Sequence, residues 1–300
     1  MTLSEQGQMR AMTHWLVSFK RKPLATNVAF AFSAALLALF TFFAIWPQVV
    51  APYDPTINSL GLRHKPPAYV DANGGMHLLG TDHMGRDVWS RVVWGARASM
   101  TVGYVGLFLG ALVGVLIGLV AGYRGGWFDS IAMRVVDAYL SFPYILIAIV
   151  WAALIGTDIQ NLILIVAVRG WVEFARVARG QSLAVRERDY VTAAQAIGAK
   201  TGRILWLYIL PNTLTSILVV TGFQLGRLIL LEGTLSFLGM GIRPPTPAWG
   251  SMLSDARNYL ASAWWTALFP GAAISLVVMA ASFMGDSLRD YLDPTMRGRF

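Results

Sequence analysis

Long apolar runs alternate with short polar segments along the chain, and this pattern predicts helices that cross a membrane. A bilayer core of ~30 Å needs about 20 apolar residues in a helix. Four uncharged stretches are long enough, residues 23–53, 98–123, 138–157 and 258–285, and two charged ones follow the same pattern, residues 159–178 and 212–238. We therefore predict an all-α, polytopic membrane protein with six transmembrane helices, the third kinked at Pro143.

The second predicted span carries a glycine at every fourth position. The five glycines share one helix face: Gly106, Gly110, Gly114, Gly118 and Gly122. Such a ridge lets a neighbouring helix backbone approach closely, which predicts tight helix packing. A gating helix that slides along the ridge is the alternative interpretation.

Two regions are predicted on either side of residue 97. Residues 1–97 hold a basic tail (1–22), the first span and an extracytoplasmic segment, which ends in an amphipathic surface helix over residues 88–97. Residues 98–300 form the main membrane domain, with a cytoplasmic loop at 186–211.

Composition and charge support a membrane protein with both termini inside. Hydrophobic residues make up 56% and charged residues 13% of the chain, which excludes a soluble domain. Most of the 24 Lys and Arg fall in the predicted inner segments, as the positive-inside rule requires. The basic balance therefore reflects orientation, and no nucleic-acid partner is expected. The chain contains no cysteine, which excludes disulfides and thiolate chemistry.

A polar island at residues 190–212 separates two of the apolar runs. Its sequence predicts two short helices, a reversal at Gly198, and a new span opened by Pro211. Basic residues flank the island, so it suits insertion into a groove on a soluble partner.

This island resembles the coupling motif of ABC importer permeases. The matching residues are Ala193, Ala194, Gly198, Ile209, Leu210 and Pro211, and Tyr190 opens the segment. One departure is plain, since Thr192 stands where the family usually has a glutamate.

Four further runs resemble the second permease subunit of dipeptide and oligopeptide ABC importers: HLLGTDHMGRD (77–87), GYRGGWFDSIAMRVVD (122–137), LSFLGMGIRPPTPAWGSMLSDAR (235–257) and MGDSLRDYLDP (284–294). The resemblance implies a type I ABC importer permease fold in the bacterial cytoplasmic membrane. It also implies a related second permease, two cytoplasmic ATPase subunits that bind ATP and Mg, and an extracytoplasmic substrate-binding protein.

The chain itself is predicted to bind no cofactor and to catalyse no reaction. The run Gly198-Ala199-Lys200-Thr201 lacks the lysine directly after the glycine that a phosphate loop requires. His77 and His83 share a loop with Asp82 and Asp87, but their spacing matches no tight metal-ligand set, so a structural role is expected.

Four charged residues fall within predicted spans: Arg169, Glu173, Arg227 and Glu232. Charges inside a membrane face a water-filled path or a partner charge. They are therefore candidates for a translocation path, and mutual neutralisation is the simpler alternative.

Function is thus predicted as a permease that moves di- or oligopeptides inward by alternating access. An importer of the same class for nickel, glutathione or another small solute remains open. A self-sufficient ion-coupled transporter is the alternative from a different class, and it leaves the polar island unexplained.

Overall fold

The computed structural model describes residues 24–292, so the predicted tail at residues 1–22 and the last eight residues lie outside it. The described chain is mainly helical. The helices are α1 (Leu24–Ile45), α2 (Pro47–Val50), α3 (Val88–Arg124), α4 (Gly126–Leu140), α5 (Tyr144–Ile155), α6 (Ile159–Arg186), α7 (Asp189–Ala196), α8 (Thr201–Ile204), α9 (Leu210–Phe237), α10 (Trp249–Ala256) and α11 (Trp265–Leu292). Two short strands, β1 (Tyr69–Val70) and β2 (Met76–His77), pair antiparallel.

Four helical segments of the described chain are long and apolar enough to cross a membrane: α1, α3, α11 and the run from Thr201 to Phe237 that includes α9. A fifth crossing results if α4 and α5 count as one bent span. Helix α6 is 28 residues long but too charged to qualify. The six predicted spans are thus reproduced only in part by length and composition.

The third predicted span is not a continuous helix. Helices α4 and α5 meet at an angle of 90°, and Pro143 immediately precedes α5. Its ring fixes φ and its missing N–H cannot continue the hydrogen-bond ladder of α4. With 12 residues, α5 is about 18 Å long, too short to cross a bilayer alone. The kink predicted at Pro143 is thus present as a 90° bend between two helices, and the crossing predicted at residues 138–157 stays a prediction.

The predicted surface helix at residues 88–97 was also wrong. These residues form the first turns of α3, which runs without a break for 37 residues through the predicted boundary at residue 97. The Asp87 carboxylate caps the helix by accepting a hydrogen bond from Ser90 N at 2.8 Å. Val93 and Ala96 are fully buried, so this end of the helix does not lie on a membrane surface. The division of the chain into two domains stays a prediction.

Helices α3 and α6 form the most extensive helix pair in the described chain, and the glycine ridge of α3 lies at their contact. A Cβ atom at Gly110 would lie 2.9 Å from the carbonyl oxygen of Ala167, and one at Gly122 would lie 2.6 Å from that of Arg179. At Gly114 and Gly118 the added atom would overlap the backbone oxygens of α6. The absence of side chains on this ridge is therefore what allows the two backbones to touch.

Buried polar contacts hold the predicted extracytoplasmic segment and the start of α3 in place. Asp82 accepts hydrogen bonds from Arg86 Nε at 2.7 Å and from two backbone N–H groups of its own loop. The indole of Trp249 donates to Val92 O at 2.9 Å, and that of Trp265 donates to Thr81 O at 3.1 Å. The predicted structural histidine His77 pairs with Asp87 at 2.9 Å.

Candidate coupling segment and intramembrane charges

Residues 186–211, called the coupling segment here, fold as two short helices joined by a tight reversal. Helix α7 ends at Ala196, α8 begins at Thr201, and one widened turn from Leu205 to Ile209 leads into α9. Pro211 lies at the start of α9, directly after the widened turn. The two helices and the reversal predicted from the sequence are thus present.

The reversal at Gly198 is a helix C-cap of the Schellman type. Ala199 N bonds to Ala194 O at 3.0 Å, and Gly198 N bonds to Gln195 O at 2.9 Å. This pair of hydrogen bonds requires a residue with left-handed backbone conformation at the position after the cap. Gly198 has this conformation, with φ +80°. An added Cβ would meet no atom within 4 Å. Backbone conformation, and not space, therefore selects glycine here.

The residues of the coupling motif divide between an outer and an inner face. Tyr190, Thr192, Ala193, Gly198 and Pro211 are exposed. Ala194 and Ile209 are buried within this chain, and Leu210 is half-buried. The sequence reading placed both alanines in a partner's cleft, but only Ala193 is free to enter one.

The tip of the coupling segment displays an apolar side chain that the sequence reading did not single out. Ile197, just before the reversal, is 84% exposed. Trp206 and Leu207 are also exposed, and they lie on the widened turn. These exposed apolar residues are candidates for contact with a partner protein.

The inner face of the coupling segment packs on the ends of α3 and α6. Val191, Ile204 and Ile209 form a small core with Leu119 and Ala178. Gln195 Nε2 donates to the Tyr123 hydroxyl at 3.3 Å, and Arg186 Nη1 donates to the carbonyl oxygens of Gly122 and Tyr123, both at 3.3 Å. The coupling segment is therefore anchored to the helix pair that carries the glycine ridge.

Three of the four charged residues that were predicted within spans come together. Glu173 Oε1 lies 3.6 Å from Arg169 Nη2 on the same helix and 3.8 Å from Arg227 Nη1 on α9. The side chain of Arg227 is 65% exposed, and Arg169 Nη1 is buried with no hydrogen-bond partner among the described residues. The cluster holds two positive charges and one negative charge.

Glu232 does not belong to this cluster. It is buried to 1% exposure and its Oε1 accepts from Ser236 Oγ at 2.6 Å. The possible pairing of Arg227 with Glu232, five residues apart in sequence, is replaced by the contact with Glu173. The spacing along one helix could not reveal a partner on another.

A cavity of about 340 Å³ opens on the coupling-segment side of the charge cluster. Helices α6, α9 and α11 line it with Val177, Thr215, Ser216, Val219, Val220, Arg289 and Leu292. Sequence reasoning missed it, because its hydroxyls and its arginine come from different helices. Among residues 24–292, no group of three His, Asp or Glu side chains is placed to hold a metal ion.

Comparison with known proteins gives consistent matches. The family described as "Binding-protein-dependent transport system inner membrane component" matches residues 114–298. The chain is 40% identical to the glutathione transport system permease protein GsiD of Escherichia coli, covering 99% of this chain and 95% of the relative; the protein of that name from Shigella sonnei matches equally. It is 37% identical to the dipeptide transport system permease protein DppC of Alkalihalophilus pseudofirmus, covering 97% and 93%.

Proposed function

Because the chain belongs to the family of binding-protein-dependent transport system inner membrane components and is a permease component of an ABC importer, we propose that it carries di- or oligopeptides inward by alternating access. The family is a transport component and not an enzyme. The two relatives are named for glutathione and for dipeptides, so glutathione is the second candidate solute.

The coupling segment is the observation that carries this mechanism. Its tip exposes Ile197 and Ala193 beside a rigid reversal, while its inner face is packed on α3 and α6. A cytoplasmic ATPase that grips the tip would therefore pull on the membrane helices and not on a loose loop. ATP and Mg are bound by two such ATPase subunits, and this chain binds no cofactor.

The remaining partners follow from the same architecture. A second, non-identical permease faces the open side of α6 and α9, and an extracytoplasmic substrate-binding protein delivers solute to the segment between α1 and α3. Six crossings result when α6 and the bent α4–α5 pair are counted as spans. Both termini then lie in the cytoplasm of a bacterial cell, on the same side as the coupling segment.

The test is solute-stimulated ATP hydrolysis by the complete importer in proteoliposomes. We expect hydrolysis and uptake to rise together when binding protein loaded with a dipeptide or with glutathione is added outside. The solute that stimulates uptake most identifies the substrate among these candidates and nickel. Uptake that proceeds without ATPase subunits and follows an ion gradient would overturn the proposal in favour of a self-sufficient transporter.

A further inference from the structure

We propose that Arg227 and Arg169 form a carboxylate-binding site in the groove between α6 and α9, and that this site favours solutes with a free carboxylate. The inference rests on the proposed function, because it assumes that the solute passes along this chain. It assigns the charge cluster a solute-binding role in place of the simpler one, mutual neutralisation.

The distances within the cluster argue against simple neutralisation. A charge-assisted hydrogen bond between guanidinium and carboxylate spans ~2.7–2.9 Å, whereas Glu173 Oε1 is 3.6 Å from Arg169 and 3.8 Å from Arg227. One carboxylate oxygen is thus shared between two guanidinium groups, and it satisfies neither. The donors of the exposed Arg227 therefore remain available to a second carboxylate.

The net charge of the cluster also argues against simple neutralisation. An uncompensated charge at the centre of a membrane helix costs at least ~2.5–3.5 kcal/mol on insertion scales. The cluster carries one positive charge in excess, and the exposed side chain of Arg227 projects from the open side of the groove. An anion that enters the groove would complete the charge balance.

The side chain of Arg169 is held in place from behind. Its guanidinium carbon lies 5.6 Å from the centre of the Tyr144 ring, a cation–π contact. The Tyr144 hydroxyl is itself anchored on Ile165 O at 2.6 Å. The Nη1 atom of Arg169 is buried, so the side chain that an entering carboxylate meets first is the exposed Arg227.

The groove leads from this site to the cavity between α6, α9 and α11. Val177 follows Glu173 by one helical turn, and it lines the 340 Å³ cavity together with Thr215 and Ser216. This volume falls within the ~300–1,000 Å³ of small-molecule sites. Arg289 lies at the same cavity, so a carboxylate released by Arg227 meets a second guanidinium nearer the coupling segment.

Equilibrium binding of radiolabelled alanyl-alanine to the purified importer, with its ATPases but without binding protein, tests the site directly. We expect unlabelled alanyl-alanine to displace the label at least about tenfold better than alanyl-alaninamide, since the amide lacks the charge that strengthens the hydrogen bonds. Arg227→Gln should weaken binding by about tenfold and Arg227→Lys by less. Arg134→Gln, which changes an exposed arginine on α4, is the matched control and should bind as the unmodified protein does.

Equal displacement by peptide and amide would overturn the inference, and this comparison needs no variant. Absence of saturable binding to the unmodified complex would also overturn it, as would undiminished binding by Arg227→Gln. In each of these cases, ATP-driven uptake by the unmodified importer would leave the proposed function standing. Absence of ATP-driven uptake would contradict both the carboxylate site and the proposed function.

Discussion

Gln195 in the coupling segment donates a hydrogen bond to the hydroxyl of Tyr123 in the last turn of α3, across 3.3 Å. This bond joins the coupling segment to the helix that carries the glycine ridge. The residues are 72 positions apart in the chain, and neither belongs to the recognised coupling motif. Together with the Arg186 contacts, it ties the end of α3 to the coupling segment, on which the proposed mechanism has the ATPases act.

Removal of this hydrogen bond should weaken transmission to α3. We expect Gln195→Ala and Tyr123→Phe each to lower the number of solute molecules imported per ATP, and the double variant to be no worse than either single one. A net contribution of ~0.5–1.5 kcal/mol is typical for such a bond, and non-additivity identifies a direct interaction. The measurement is uptake and hydrolysis in the same vesicles. Additive losses would mean that the two side chains act separately; Tyr104→Phe, which loses a hydroxyl bonded to Thr41, is the control.

The reversal of the coupling segment should depend on the left-handed backbone at Gly198. Alanine there costs ~1–2 kcal/mol because its Cβ crowds the following carbonyl oxygen. We expect Gly198→Ala to reduce coupled transport and Gly198→Glu to uncouple hydrolysis from transport, with membrane insertion intact in both. Gly202 lies in α8 with open space around it, so Gly202→Ala should transport normally. Normal coupling by Gly198→Glu would contradict the role of this turn.

The glycine ridge predicts an asymmetry between two glycines in contacting helices. Gly114→Ala places a methyl group against the Trp171 backbone, and overpacking of this kind costs ~1–3 kcal/mol. Gly180 of α6 has open space, so Gly180→Ala should be neutral or stabilising by ~0.5–1 kcal/mol. The effects of both substitutions are measured as changes in the Tm of the purified complex, with its thermal unfolding monitored by size-exclusion chromatography. Equal Tm values would show that α3 and α6 separate at little cost.

Acid should loosen the loop at residues 80–90 through His83. Burial lowers the pKa of His83 below its usual 6.5, and the carboxylates of Asp82 and Asp255 offset this only in part. The folded loop therefore favours the neutral imidazole. Its contribution is complete above pH 6.5 and is lost as the pH falls further, because the unfolded loop takes up the proton first. Hydrogen exchange of residues 80–90 at pH 5.5 and 7.5 should show a pH effect that His83→Gln reduces. An unchanged effect in the variant would assign it to other groups.

The local features of this protein could be predicted from its sequence, whereas the contacts between distant segments could not. The two short helices of the coupling segment follow from small residues, a glycine and a proline at fixed spacing, and all are present. The break at Pro143 was underestimated, since a proline indicates a bend but not its angle of 90°. The continuity of α3 was missed because Ser90, Arg91 and Arg97 interrupt the apolar pattern that defines its later turns.

The charged residues show the same limit more clearly. Arg169 and Glu173 are four apart on one helix, and their proximity follows from helical geometry. The approach of Arg227 depends on how α9 crosses α6, which one-dimensional spacing does not contain. The cluster of Arg86, Arg91 and Asp82 with Asp255 was likewise missed, since Asp255 comes from α10, far along the chain.

The packing of α3 against α6 also has a consequence for biosynthesis. Helix α3 leaves the ribosome before α4, α5 and α6 have been made, so its glycine face enters the bilayer with no helix to cover it. The backbone N–H and C=O groups of that face are hydrogen-bonded within the helix, so the uncovered face is stable in contact with lipid. A bulkier residue on that ridge would not hinder the insertion of α3. It would hinder only the later packing of α6 against α3. Variants of the ridge should therefore insert normally and accumulate as membrane-embedded chains that fail to mature.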